Sequence, residues 1–172
     1  PVTRTYLVCR LLLEKKNNRY GTYFQRIMAY PSPEGGRPVN QLQHIIRMMT
    51  REKRSRESAL QISILDPNTD HTGQAVRGFP CLQQVGVSYS GEDAFSVNAL
   101  YPTQYIVDRG YGNYLGLCHL GLFIAHETGL DFARLNCFIG SPMLGGVTKS
   151  QVRHLATWIH NRHFGPAESD AT

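Results

Sequence analysis

Gly78-Phe79-Pro80-Cys81-Leu82, running on into Gln83-Gln84-Val85-Gly86-Val87-Ser88-Tyr89, is the stretch on which the reading of this chain turns. Val85, Val87 and Tyr89 alternate with small or polar residues, the period of a strand with one buried face. Proline has no N–H to give a ladder, so Pro80 belongs at the beginning of that strand or on an edge. The Cys81 thiol then stands where a sheet begins, at a rim where ligands bind. A cysteine among apolar residues is more often a small packing group. The stretch alone therefore leaves Cys81 as either nucleophile or filler.

Outward from it, Leu60, Ile62 and Ile64 alternate with Gln61 and Ser63 and predict a preceding strand, joined to Cys81 by a polar loop over Asp66–Gly78. Gly91-Glu92-Asp93 predicts a hairpin turn, and Phe95–Tyr101 the strand that returns from it. Asp108–Asn113 holds the turn formers Gly110, Gly112 and Asn113. A helix apolar almost all round then runs to about Thr128 and is expected to be the central buried one. Gly129 stops it. Leu135–Ile139 predicts another strand, and Thr148 with Gln151 resembles a capping box opening a last helix to about Asn161. Towards the N-terminus, Thr5–Glu14 and Thr22–Tyr30 predict strands, and Pro31-Ser32-Pro33-Glu34-Gly35-Gly36 a turn. Val39–Glu52 predicts a helix with Leu42, Ile45, Ile46 and Met49 on one face and Asn40 as its cap. Interleaved helices and hairpins point to an α/β fold: a mixed sheet with covering helices.

A chain of 172 residues, 41% hydrophobic and 18% charged, fits one globular domain, read as 1–164, with 165–172 as a disordered tail. The net charge of +5 suits an anionic ligand. Basic residues without interleaved aromatics argue for a small nucleotide rather than a nucleic acid. The four cysteines are scattered without a CxxC pair, which fits reduced thiols in a cytoplasm better than a disulfide framework or zinc site. The run Leu117–Ala125 is too short to span a bilayer, so no membrane association is expected.

Several of these stretches resemble, in order, the thymidylate synthase family. Tyr20-Gly21 with Ala29-Tyr30-Pro31 is similar to its Tyr-Gly…Trp segment, and Val39-Asn40-Gln41-Leu42-Gln43 to its Val-Asp-Gln-Leu-Gln helix start. Asp66-Pro67-Asn68 resembles its Asn-Pro, Pro80-Cys81 its Pro-Cys nucleophile, and Leu100-Tyr101 the strand before its Arg-Ser element. Asn113 stands before Ala125-His126-Glu127-Thr128-Gly129-Leu130, which resembles its Ala-His-x-Thr-Gly-Leu helix end. The resemblance covers roughly residues 20–145.

It implies that Cys81 adds to C6 of a pyrimidine, making C5 nucleophilic toward a one-carbon unit carried by 5,10-methylenetetrahydrofolate. It implies that Asn113 reads the ring edge, that the protein is a homodimer, and that substrate contacts fall near Arg54, Arg56, Tyr101 and Asp108. The chemistry needs a thiolate, which a nearby cation favours, and an amide that both donates and accepts.

The departures are uneven. Leu82 stands where the family has histidine, and Arg54 and Arg56, with Glu57 beside them, replace an adjacent arginine pair. Pro102-Thr103-Gln104-Tyr105-Ile106 replaces the Arg-Ser-x-Asp stretch, Asp108 matches the folate-contacting aspartate only with an insertion, and the sugar-binding His-x-Tyr is lost around Met143-Leu144-Gly145. The catalytic glutamate has no match except Glu14, and no closing tail is recognisable. Phosphate and sugar contacts erode while thiol and amide persist. Two expectations follow: an enzyme of altered substrate, as in the hydroxymethylase branch, or a degenerate copy that binds a nucleotide or protein without turnover.

Among the seven histidines, His71 in the loop before Cys81 is the candidate base. His119 and His126 are seven apart rather than the three or four of zinc helices and read as structural residues. Gly110-Tyr111-Gly112 lacks the lysine of a phosphate loop, and Ser141 lacks the context of a hydrolase elbow.

Overall fold

Alternation along the strands sorts the sheet into two faces. The computed structural model describes residues 22–32, 36–51, 53–71, 73 and 79–165. The predicted strand at Thr5–Glu14, the middle of the Pro31–Gly36 turn, most of the loop before Phe79 and the tail beyond Gly165 lie outside these residues.

Strands β1 (Gln61–Ser63), β2 (Gln84–Tyr89), β3 (Ala94–Tyr105) and β4 (Asp131–Met143) form one sheet in the order β1-β2-β3-β4. The first two pairings are antiparallel and the last is parallel, so the sheet is mixed, as expected. The β2–β3 turn falls where it was predicted: Gly91 takes a left-handed φ of 78°, and the Ser90 N–H donates to the Ala94 carbonyl at 2.8 Å. Partners across a ladder point to the same face. Ile62, Val85, Ala99 and Cys137 therefore make one row, with Val87, Val97 and Leu135 beside it. Gln61, Gly86, Asn98 and Asn136 make a row on the opposite face.

Three helices cover the apolar face. The first, α1 (Tyr23–Met28), corrects the strand predicted at Thr22–Tyr30. Thr22 and Gln25 form a reciprocal capping box at 3.1 Å in both directions, satisfying two N–H groups that a helix start leaves open. Tyr23, Phe24 and Ile27 go into the core from it. In α2 (Gln41–Met49) the Asn40 side chain accepts from the Gln43 N–H at 2.9 Å, as the sequence indicated, and Leu42, Ile45 and Met49 are buried. A one-turn helix α3 (Pro67–Asp70), capped by Asp66, interrupts the loop after β1.

The long helix α4 (Tyr111–Thr128) links β3 to β4 and ends at Gly129 with a φ of 72°. It is not buried all round. Gly116, Leu117, Leu120, Gly121 and Ile124 face the sheet, while Leu122 stays 50% exposed, because one layer lies against only one side of the helix among the described residues. Gly121 permits the close approach: a Cβ there would meet the Phe132 ring at 2.6 Å. The last helix, α5 (Lys149–His163), opens with the predicted Thr148–Gln151 box and buries none of its side chains. Among the described residues no helix is long and apolar enough to cross a membrane.

Candidate active site

The segment carrying Cys81 is fixed by backbone bonds on both sides. The Ile64 and Leu65 N–H groups both donate to the Gln83 carbonyl, at 2.8 and 3.1 Å, and the Gln83 N–H donates to the Leu100 carbonyl at 3.0 Å. Ordered pairing begins only at Gln84, so Cys81 lies in a bend just before β2 rather than in the strand itself. Proline at 80 and the pull of Tyr23 explain the delay. The Tyr23 hydroxyl accepts from the Cys81 N–H at 3.0 Å and from the Leu82 N–H at 3.5 Å, taking two donors that a ladder would otherwise use. Leu82 plugs the core completely, Phe79 is 43% exposed, and Cys81 between them is half-buried. The sulfur is neither sealed in hydrocarbon nor displayed on an open surface.

Beneath this rim the core turns polar. Tyr101 is 1% exposed, and its ionisation is pushed far up, first by burial and then by the nearby Cys137, Tyr23, Tyr114 and Cys81 groups. Tyr23 is held up at about 12, by burial first and by Cys81 second. Cys137 rises to about 11 through burial, with Cys118 adding to it. The Tyr114 hydroxyl donates to Gln104 Oε1 at 3.3 Å. Tyr23, Tyr101, Tyr114 and Cys137, each raised first by burial, are held in their neutral forms at pH 7. A neutral set of hydroxyl, thiol and amide groups suits a neutral polar ring better than a phosphate.

The structure brings some of the predicted residues together and leaves others apart. Tyr101 lies within electrostatic reach of Cys81, and Asn113 is half-buried in the first turn of α4, one residue before Tyr114. The expected turn at Asp108–Asn113 is instead a π-turn (Ile106–Gly110) running straight into α4, with Gly110 itself helical, so Asn113 caps nothing. A Cβ at Gly110 would touch the Tyr114 ring at 3.3 Å, so glycine serves packing there rather than a turn. His71 is exposed, with its ring 6.5 Å from that of Phe79, two residues before Cys81.

Asp108 is committed to another segment. Its carboxylate accepts from the Gly146 N–H at 2.7 Å and holds the loop after β4. Arg54 sits 4.5 Å over the Tyr89 ring and donates to the Glu92 carbonyl at the β2–β3 hairpin. Tyr89 pairs with Phe95, and from there to Tyr101 β3 runs roughly 20 Å. Arg54 therefore belongs to the far end of the sheet, and Arg56, exposed before the short helical turn Glu57–Ala59, lies on the same segment.

Three site residues escaped the sequence reading: Tyr23, Tyr114 and Gln104. The Thr22–Gln25 spacing carried the signal for Tyr23, since a helix there aims residue 23 inward. Among the described residues no group of three His, Cys, Asp or Glu side chains converges as a metal site. His126 is exposed and pairs with Glu127 at 3.2 Å.

No protein-family model matches the chain, and no curated protein matches it.

Proposed function

We propose that this chain is a thymidylate-synthase-like domain that captures a pyrimidine base, nucleoside or nucleotide, with Cys81 adding to C6 so that C5 can accept a one-carbon unit. One observation carries the reading: a half-buried thiol, tethered through its own N–H to Tyr23, stands at the rim of a neutral polar cluster inside an otherwise apolar core. In the step proposed, the thiolate forms a bond to C6, and the ring π pair moves to C5 and the adjoining carbonyl. Once C5 has bonded to the one-carbon unit, loss of the C5 proton to a base re-forms the C5–C6 double bond and expels the thiolate. Asn113, beside Tyr114, reads the ring edge, and His71, packed near Phe79, is the candidate proton carrier.

The resemblance implies 5,10-methylenetetrahydrofolate as the one-carbon donor. Asp108, the residue matched to that donor, has its carboxylate engaged by Gly146. That bond uses one carboxylate oxygen, so Asp108 Oδ1 would remain to hold the donor, and the addition of Cys81 to the ring is derived from the chain's own residues alone. The resemblance also implies a homodimer, and the scattered cysteines suit a cytoplasmic setting. The uncovered sheet face is the surface we assign to the second copy.

Binding without turnover is a second reading with its own support. Arg54 is held at the hairpin, so its charge does not reach the thiol to favour the thiolate. Intact-mass spectrometry after incubation with 5-fluorouracil, 5-fluorouridine and 5-fluorouridine monophosphate, with and without methylenetetrahydrofolate, separates the two. The enzyme reading expects an adduct that disappears in Cys81→Ser. Binding of the same compounds with no mass increase, retained in Cys81→Ser, replaces it with the binding reading.

A further inference from the structure

We infer that Gln104 is the residue that recognises a ring carbonyl of the bound pyrimidine, an inference that rests on the site proposed above. Gln104 is 2% exposed, and its Nε2 has no hydrogen-bond partner among the described residues. Buried amide nitrogens are almost always paired, because an orphan donor keeps the whole cost of leaving water. The other end of the same amide is engaged: Oε1 accepts from the Tyr114 hydroxyl at 3.3 Å, which fixes the amide plane and leaves Nε2 as the open end.

Its place in the fold gives that donor a use. Gln104 lies near the end of β3 with the strand parity of Leu100, and it is the Tyr114 hydroxyl that ties its buried amide to the first turn of α4, which carries Asn113. Tyr114 and Cys81 both add to the raised ionisation of Tyr101, after burial, Cys137 and Tyr23, so Tyr101 lies within electrostatic reach of each. A neutral amide donor among neutral hydroxyls selects a neutral acceptor, and a pyrimidine carbonyl is such an acceptor. An anionic oxygen would find no fixed charge from Arg54, which is occupied at the hairpin.

The test pairs a change in the protein with a change in the ligand. Affinities of uridine and of the ribonucleosides of pyrimidin-2-one and pyrimidin-4-one, each lacking one ring oxygen, are measured calorimetrically for the wild type and for Gln104→Met, a variant of similar size without a donor. The wild type is expected to bind uridine roughly tenfold more tightly than one of the two analogues, the worth of one net hydrogen bond. Gln104→Met should bind those two alike.

The unliganded variant supplies an independent readout. Gln104→Met removes the orphan donor but also the acceptor of the Tyr114 hydroxyl, so the two effects oppose and the melting temperature should stay within about 4 °C of wild type. A larger fall, or failure to fold, makes Gln104 a structural partner of Tyr114 and overturns the inference. So does an undiminished preference for uridine in Gln104→Met. If a 5-fluorouridine adduct still forms at Cys81 in that case, the site stands and only the role of Gln104 falls. If the wild type binds none of the three nucleosides and forms no adduct, the site falls and the role of Gln104 with it.

Discussion

On one face of the sheet Ile62, Val85, Ala99 and Cys137 form a row under α1, α2 and α4; one residue along, on the other face, Gln61, Asn98 and Asn136 line an uncovered trough of about 450 Å³. Polar groups obey different rules on the two sides. On the uncovered face Gln84 donates to Gln61 at 2.9 Å, Asn98 to Ser88 at 2.9 Å and Asn136 to Asn98 at 2.8 Å, yet each could turn to water at little loss. On the covered face water is excluded, so a polar atom must find a partner or keep its desolvation cost. Two buried side-chain atoms among the described residues lack a partner, the Tyr89 hydroxyl at the hairpin end and Gln104 Nε2 towards the other end of β3. Gln104 has the strand parity of Asn98 and Leu100 yet is 2% exposed, so its amide keeps the cost of burial, and that is why it is informative and the amide row is not.

The comparison breaks most visibly at the buried ion pair of the covered side. Arg26 donates to both Asp70 oxygens, at 2.5 and 2.7 Å, and to the Ile64 carbonyl at 2.6 Å, while Asp70 also accepts from the Asp66 N–H at 2.8 Å. Removing either charge leaves the other buried alone, and Asp70→Ala should cost about 3–5 kcal/mol in urea denaturation at pH 7. Burial alone would raise the Asp70 carboxyl, but the Arg26 hydrogen bonds and the Asp66 N–H outweigh it and hold it below the ordinary value of about 3.8. A carboxyl depressed in the folded state contributes stability that is complete above its unfolded value and lost as pH falls through the folded one. The gap between wild type and Asp70→Ala should therefore be full at pH 7 and narrow below about pH 3.8. A gap that is constant from pH 7 to pH 2.5 would show that the charge of Asp70 contributes nothing.

Much of this was legible because period two is a local signal. Val85, Val87 and Tyr89, or Leu60, Ile62 and Ile64, announce a face without reference to the rest of the chain, and Asn40, Thr148 and Gly129 announce helix ends through chemistry a few residues wide. The misreadings have equally local causes. Tyr23-Phe24-Gln25-Arg26-Ile27-Met28 holds two aromatics and a β-branched residue, a composition that favours a strand, whereas the fold makes it a helix capped by Thr22 and Gln25. Gly110 and Gly112 read as a turn because glycine permits one, whereas Gly110 is helical and leaves room for Tyr114. Gln104 was invisible for a different reason. It follows exposed Pro102 and Thr103, so the alternation that marks burial is broken just before it.

A smaller effect sharpens the contrast at the rim between the two faces. In Tyr23→Phe the ring still fills its place, but the Cys81 and Leu82 N–H groups lose their acceptor. Two donors at a partly wet rim should cost about 1–2 kcal/mol rather than the larger loss of the ion pair. The bend holding Cys81 should also loosen, so adduct formation should slow by more than the stability loss explains. Parallel measurement of urea midpoints and adduct rates checks both. An adduct rate equal to wild type would mean that the tether to Tyr23 has no part in presenting the thiol.

The smallest stability effect is expected on the uncovered face, where it coincides with the largest change in assembly. Phe138, 68% exposed, shares its row with Leu100, Gln84 and Ser63, so an aspartate at 138 meets water and disturbs no core contact. Its cost to the isolated chain should stay within about 0.5 kcal/mol, as for other surface changes. If two copies stack these faces, however, that carboxylate is carried into the contact with Leu100 as its cross-strand neighbour, the amides beyond engaged with one another, and Arg134, the cation of the same strand face, two rows away and bonded to Ser96. Sedimentation velocity should then find the wild type dimeric and Phe138→Asp monomeric at the same concentration, with nearly equal urea midpoints for the monomers. A wild type that sediments as a monomer at high micromolar concentration would leave the trough as an ordinary solvated sheet face, its amides bonded to each other because they are adjacent and for no further reason.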